Sequence, residues 1–93
     1  MSMGVAIVGC GLIGRKRALA LGTAKLVTCA DIDPAQAHSM ATLSPGCRAV
    51  SDWREAVSSE GVNAVVVATP HNALAEITAA AIDAGCHVLV EKP

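Results

Sequence analysis

Phenylalanine and tyrosine are absent from this 93-residue chain, and one tryptophan, Trp53, is its whole aromatic content. A core without rings must be filled by Val, Ile, Leu and Ala, whose small side chains let helices approach a sheet closely. An excess of one charge is lacking too. Seven basic and eight acidic residues, spread along the chain, leave a formal net charge of −1, which gives no field for nucleic acid or anionic lipid. Long apolar runs are missing as well: the longest are about five or six residues, far short of the roughly 20 that span a bilayer. No charged-then-apolar leader opens the chain. These absences predict a cytoplasmic protein with neither a membrane nor a nucleic-acid partner. Cys10, Cys29, Cys47 and Cys86 show no CxxC pairing, so small buried thiols are expected, with no metal and no disulfide framework.

What is present is an alternation of short β-rich runs with helical patterns. At 93 residues the chain makes one domain, burying a little over roughly 60% of its extended surface. GVAIVG, residues 4–9, reads as a strand buried on both faces, followed by a helix from Leu12 to about Gly22. The first part of KLVTCADID, residues 25–33, is a second strand. Asp33 and Pro34 then suit an N-cap and first helical position, with Gln36 spaced to complete a capping box and the helix running to about Leu43. A short strand follows at Arg48–Val50, and Asp52 with Glu55 repeats the capping-box spacing before a brief helix holding Trp53. NAVVVAT, residues 63–69, is dense in β-branched residues and predicts a central strand. Asn72 to Ala84 is helical, with Leu74, Ile77, Thr78, Ala81 and Ile82 on one stripe and Gly85 as the stop. HVLVE, residues 87–91, is the last strand. Such alternation implies βαβ units, and the expected fold is α/β: a doubly wound parallel (Rossmann) sheet of order 3-2-1-4-5, its crevice at the carboxyl ends of the first and fourth strands.

The residues with chemistry to offer fall at those ends. GCGLIG sets Gly9, Gly11 and Gly14 in GxGxxG spacing, a weak signal alone but stronger between a strand and a helix. There Gly9 permits a tight turn, Gly11 lets the backbone, with Leu12 and Ile13, approach a pyrophosphate, and Gly14 lets helix and strand pack closely. Asp31 ends the second strand, where a carboxylate accepts from both adenosine ribose hydroxyls. With Ile32 and Asp33 next in sequence, no arginine stands ready for a 2′-phosphate, which favours NAD over NADP. Asp31 also fits a loop or cap position. Arg15, Lys16 and Arg17 suit either a bound diphosphate or a solvated helix face. ATPHN brings Thr69, Pro70 and His71 to the same crevice, where His71 serves a ligand or simply starts a helix. Glu91 and Lys92, adjacent on an extended segment, point in opposite directions. They can bind two different things, or be a solvated charge pair.

GCGLIG, Asp31, ATPHN and AGCHVLVEKP, in that order, make the chain resemble the amino-terminal part of the Gfo/Idh/MocA oxidoreductases, the glucose-fructose oxidoreductase and inositol dehydrogenase family. The similarity covers nearly the whole chain, and its AGxHVLVEKP ending is its most specific part. It implies a nucleotide-binding domain, here residues 1–93, whose larger substrate domain is absent, and hydride transfer between a small polyol or sugar-like substrate and NAD or NADP. It implies that Gly9, Gly11 and Gly14 hold the pyrophosphate, Asp31 the ribose, and Thr69 and Pro70 the nicotinamide side. It further implies that Glu91 approaches the nicotinamide ribose and that Lys92 contacts cofactor and substrate oxygen as the catalytic residue. The chain departs from many members at His71, Leu74 and Cys86, where Asn, His and Lys are common.

Three functions compete at this point. One is the cofactor part of an NAD-dependent dehydrogenase, inactive alone; the second is a non-catalytic dinucleotide-binding or scaffold module complete at this length; the third is a structural protein with a vestigial loop, which would bind no nucleotide. A sheet ending at HVLVE would also expose an apolar edge, which predicts a homo-oligomer through the last strand.

Overall fold

The computed structural model describes residues 3–69 and 71–91, and of residues 71 and 72 the backbone alone. Five strands, β1 (Gly4–Val8), β2 (Lys25–Ala30), β3 (Arg48–Val50), β4 (Ala64–Val67) and β5 (His87–Val90), alternate with four helices. The helices are α1 (Leu12–Leu19), α2 (Pro34–Ala41), α3 (Trp53–Val57) and α4 (His71–Asp83). All strand pairings are parallel and the order is β3-β2-β1-β4-β5, as the alternation predicts.

The sheet is covered on both faces, which explains why β1 is buried along its whole length. On one face Val5, Ile7, Leu26, Cys29 and Val66 pack against Ala37 and Met40 of α2, with Ala18 of α1 alongside. On the other, Ala6, Val8, Ala30, Val65 and Val67 pack against Ala56 and Val57 of α3 and Ile77 and Ala81 of α4. Leu26 and Cys29 share a face although three positions separate them. The register shows why: Val5 pairs with Leu26 but Ala6 with Thr28, so Val27 is skipped and the alternation resets.

Several ends differ from the sequence expectation. α1 stops at Leu19, short of Gly22, because the Ala20 amide turns back to the Arg17 carbonyl three residues earlier and tightens the last turn. α2 stops at Ala41, short of Leu43; the Leu43 and Ser44 amides bond Met40 and Ala41, again three residues back. Neither expected capping box is closed by its glutamine or glutamate. Asp33 accepts from the Ala35 amide and Asp52 from the Arg54 amide, but the Asp33 amide, which Gln36 would have taken, is held by the Asp31 carboxylate.

On α4, Ile77 and Ala81 are fully buried, while Ile82, assigned to the same stripe, is 61% exposed on the helix flank. Gly85, at φ 83°, ends the helix in a Schellman motif: its amide bonds Ile82 and the Cys86 amide bonds Ala81. Trp53 packs against the α3/α4 core and lies under the Arg54 guanidinium, which reaches on to Glu76 at 2.9 Å. Among the described residues no helix is long and apolar enough to cross a membrane.

Candidate functional site

The carboxyl ends of β1, β2 and β4 enclose a cavity of about 590 Å³, lined among others by Gly9, Gly11, Asp31, Ile32, Trp53 and Thr69. It sits where the order reverses, since β2 and β4 flank β1 and the chain leaves them toward opposite faces.

The glycine loop builds its floor. Gly9 has φ 101°, and a Cβ there would stand 2.6 Å from the Ala68 carbonyl oxygen, so only glycine lets the loop leave β1 beside β4. A Cβ on Gly14 would stand 1.9 Å from the Gly9 carbonyl oxygen, which brings α1 down onto the strand end. At Gly11, by contrast, a Cβ would meet nothing within 4 Å. Packing therefore does not explain Gly11. The empty space beside it belongs to the cavity, and a side chain would occupy room that a ligand could use.

The start of α1 is chemically open. Asp33 and Asp52 cap α2 and α3, but the N-cap of α1 is Gly11 and carries no side-chain cap. The Arg15 amide bonds the Gly11 carbonyl, and among the described residues the amides of Leu12, Ile13 and Gly14 have no acceptor, which leaves them for an external one. Aligned amides at a helix start attract an anion. Of the side chains, Leu12 is 79% exposed and Ile13 half-buried.

Asp31 joins the loop to β2. Its Oδ2 accepts the Cys10 amide at 2.7 Å and its Oδ1 the Asp33 amide at 2.8 Å. Four lone pairs on a carboxylate leave further acceptor capacity toward the cavity. Ile32 stands on the rim, 93% exposed. Across from it, Thr69 is half-buried, and its hydroxyl has no hydrogen-bond partner among the described residues.

Glu91 follows β5, its amide bonded to Val67 at 2.9 Å, and its carboxylate pairs with the Arg17 guanidinium of α1. Arg15 turns toward Ser39 of α2, 3.2 Å away. Arg15 and Arg17 thus turn to different neighbours. Pro70, Lys92 and Pro93 lie outside the described residues, as does the side chain of His71, whose backbone begins α4. Trp53 and Ser51 line the cavity although no motif marked them. The one signal that could have found them is their place after β3, since a parallel sheet puts all its carboxyl ends on one side.

A doubly wound parallel sheet with a glycine loop, an uncapped helix start and an acid after its second strand defines a dinucleotide-binding domain of the Rossmann type. The comparisons take this further: the model of an oxidoreductase family with an NAD-binding Rossmann fold matches residues 3–93, and the chain belongs to that Gfo/Idh/MocA family. An inositol 2-dehydrogenase from Rhodococcus erythropolis is 36% identical over 96% of the chain, which covers 27% of that protein. The scyllo-inositol dehydrogenase of Lactobacillus casei, solved with NAD(H) and scyllo-inositol, superposes with a TM-score of 0.89 at 26% identity. That match covers 100% of this chain and 28% of the other. A 3-ketoreductase from Actinomadura kijaniata, solved as a mutant with TDP-benzene and NADP, superposes at 0.86 with 28% identity, covering 100% of this chain and 31% of its own. The chain therefore spans somewhat over a quarter of the length of these relatives.

Proposed function

We propose that this chain binds a nicotinamide dinucleotide and forms the cofactor part of a dehydrogenase acting on a cyclitol- or sugar-like alcohol. The observation that carries the reading is one crevice combining free α1 amides, an unobstructed Gly11 and a carboxylate fixed by the glycine loop. The residues suit the group. Gly9, Gly11 and the amides of Leu12, Ile13 and Gly14 would hold the pyrophosphate, and the spare lone pairs of Asp31 would accept ribose hydroxyls. Thr69, Pro70, His71 and Glu91 would take the nicotinamide side. The dinucleotide supplies the hydride acceptor. Lys92 would stabilise alkoxide charge on the substrate oxygen and assist proton transfer. The remaining acid/base groups and the substrate pocket would belong to a further domain, so the 93 residues alone turn nothing over.

NAD is favoured over NADP, although relatives with either are known. A 2′-phosphate would meet like charge at Asp31, and Ile32 and Asp33 offer nothing to neutralise it. Calorimetric titration with NADH and NADPH tests this. Tighter binding of NADH supports the reading, whereas a preference for NADPH removes the Asp31 argument and the absence of any binding removes the cofactor role.

The reading places the protein in the cytoplasm, and as an oligomer. β5 forms a sheet edge with Leu89 47% and Val90 39% exposed, a template for pairing with a second copy. Light scattering at high concentration should show a dimer or larger species; a monomer would overturn this part.

A further inference from the structure

Cys29 in β2 and Cys47, just before β3, stand 18 positions apart in sequence, yet their sulfurs are in contact at 3.8 Å. The β2–β3 pairing brings them together: Thr28 lies opposite Arg48 and Cys29 opposite Ala49, which sets Cys47 diagonally across from Cys29. Cys29 is fully buried and Cys47 half-buried. We propose that these two thiols are a redox-active pair, which a hydroperoxide converts to an intramolecular disulfide that staples the start of β3 to β2, the strand that leads into Asp31.

Exposure assigns the roles. Cys47 can meet a peroxide, whereas Cys29 cannot. The Cys47 thiolate attacks the outer peroxide oxygen, the O–O bond breaks, and the alcohol leaves with a proton, giving a sulfenic acid. The Cys29 sulfur then attacks the Cys47 sulfur; the S–S bond forms, the S–O bond breaks, and the hydroxyl departs as water with the Cys29 proton. Two thiols and one hydroperoxide thus yield one disulfide, one alcohol and one water. Of the other two cysteines, Cys86 donates to the Val62 carbonyl at 3.6 Å, away from the pair, while Cys10 donates to the Ala30 carbonyl at 3.4 Å and also neighbours Cys29, but is buried and so, unlike Cys47, cannot meet the peroxide. Both members of the pair are held above the ordinary thiol range, so at neutral pH the reaction is slow and needs excess peroxide. The product would restrain β3, an edge strand only three residues long.

The test is peptide mapping by mass spectrometry after the chain is treated with hydrogen peroxide and its remaining thiols are alkylated. After combined cleavage by trypsin and an aspartate-directed protease, which cuts between the two cysteines at Asp31 and Asp33, the expected result is a loss of two hydrogens per chain, a joined peptide pair containing Cys29 and Cys47, and reversal by a dithiol reductant. The thermal midpoint should rise by roughly 5 °C or more on oxidation. Cys86→Ser should behave like the parent chain, and Cys47→Ser should show neither the joined peptides nor the rise. A chain that keeps its far-ultraviolet dichroism while Cys47 becomes sulfinic acid or links to another chain, with no Cys29–Cys47 peptide, would overturn the proposal. Mapping of the parent chain decides the matter even should a variant fail to fold.

Discussion

Cys10 donates its backbone amide to the Asp31 carboxylate at 2.7 Å, tying the glycine loop after β1 to the end of β2. The bond makes one side chain serve two ends. The oxygens that hold the loop's shape belong to the group proposed to receive the ribose, so loop order and cofactor affinity should fail together.

Asp31→Ala should leave the amides of Cys10 and Asp33 without their acceptor. Bonds of this charge-assisted kind are each worth about 1.5–3 kcal/mol, less where water can replace them, as it can at half-buried Asp31. A destabilisation of about 1–2 kcal/mol, read in urea unfolding, is expected. NADH affinity should fall more than NADPH affinity, so that the ratio of the two, measured by calorimetry, moves toward unity.

Gly14→Ala should be the more damaging change to folding. Its Cβ would stand 1.9 Å from the Gly9 carbonyl oxygen, a contact relieved only by moving α1 off the strand. The expected cost is about 2–3 kcal/mol, visible as a lower thermal midpoint with or without cofactor. An unchanged midpoint would mean that α1 is not held against β1 as described.

Much of this arrangement is legible in the sequence and some of it is not. Strand order and crevice position follow from features local in the chain: the NAVVVAT run, the glycine loop behind a β-rich stretch, and Asp31 at the end of the next. The misses depend on partners far away in sequence. Gln36 has the right spacing for a capping box, but the Asp33 amide is already bonded to Asp31. Val27 is skipped because β2 must fit β1, which sets Leu26 and Cys29 on one face. Glu91 meets Arg17, 74 positions earlier, and Cys47 meets Cys29. Spacing rules see a helix turn or a pleat; contacts between elements appear only once the register is known.

Thr28 is fully buried, and its hydroxyl has no hydrogen-bond partner among the described residues. A hydroxyl so placed is desolvated without compensation. Thr28→Val keeps the branched shape and removes the polar atom, so it should stabilise the fold by about 1 kcal/mol. For a domain of this size that is a midpoint rise of roughly 4–8 °C by calorimetry. A fall instead would show that the hydroxyl is satisfied.

Stability should also fall at alkaline pH. The Cys29 thiol is pushed up from 9.0 to about 12, first by its hydrogen bond with the Cys10 thiol, then by burial and by negative charge on Cys10 and Asp31, against an opposing contribution from Cys47. The Cys47 thiol is raised too, by its bond to Cys29 and by burial. Below pH 9 both folded and unfolded chains keep these protons. As pH rises above that, the unfolded chain releases them first, so stability declines toward pH 12. Urea titrations at several alkaline pH values under reducing conditions should show the decline, and Cys29→Ala should flatten it.

Gly11→Ala offers the most direct test of the cofactor site. A Cβ at this position would touch nothing within 4 Å and would intrude only on the space proposed for the pyrophosphate. NADH binding, followed by nicotinamide fluorescence for the parent chain and the variant side by side, should weaken by at least about tenfold, or about 1.4 kcal/mol, with the thermal midpoint of the free protein lowered only by the small cost of alanine at an N-cap. Equal affinities in the two chains would contradict a dinucleotide seated on this loop.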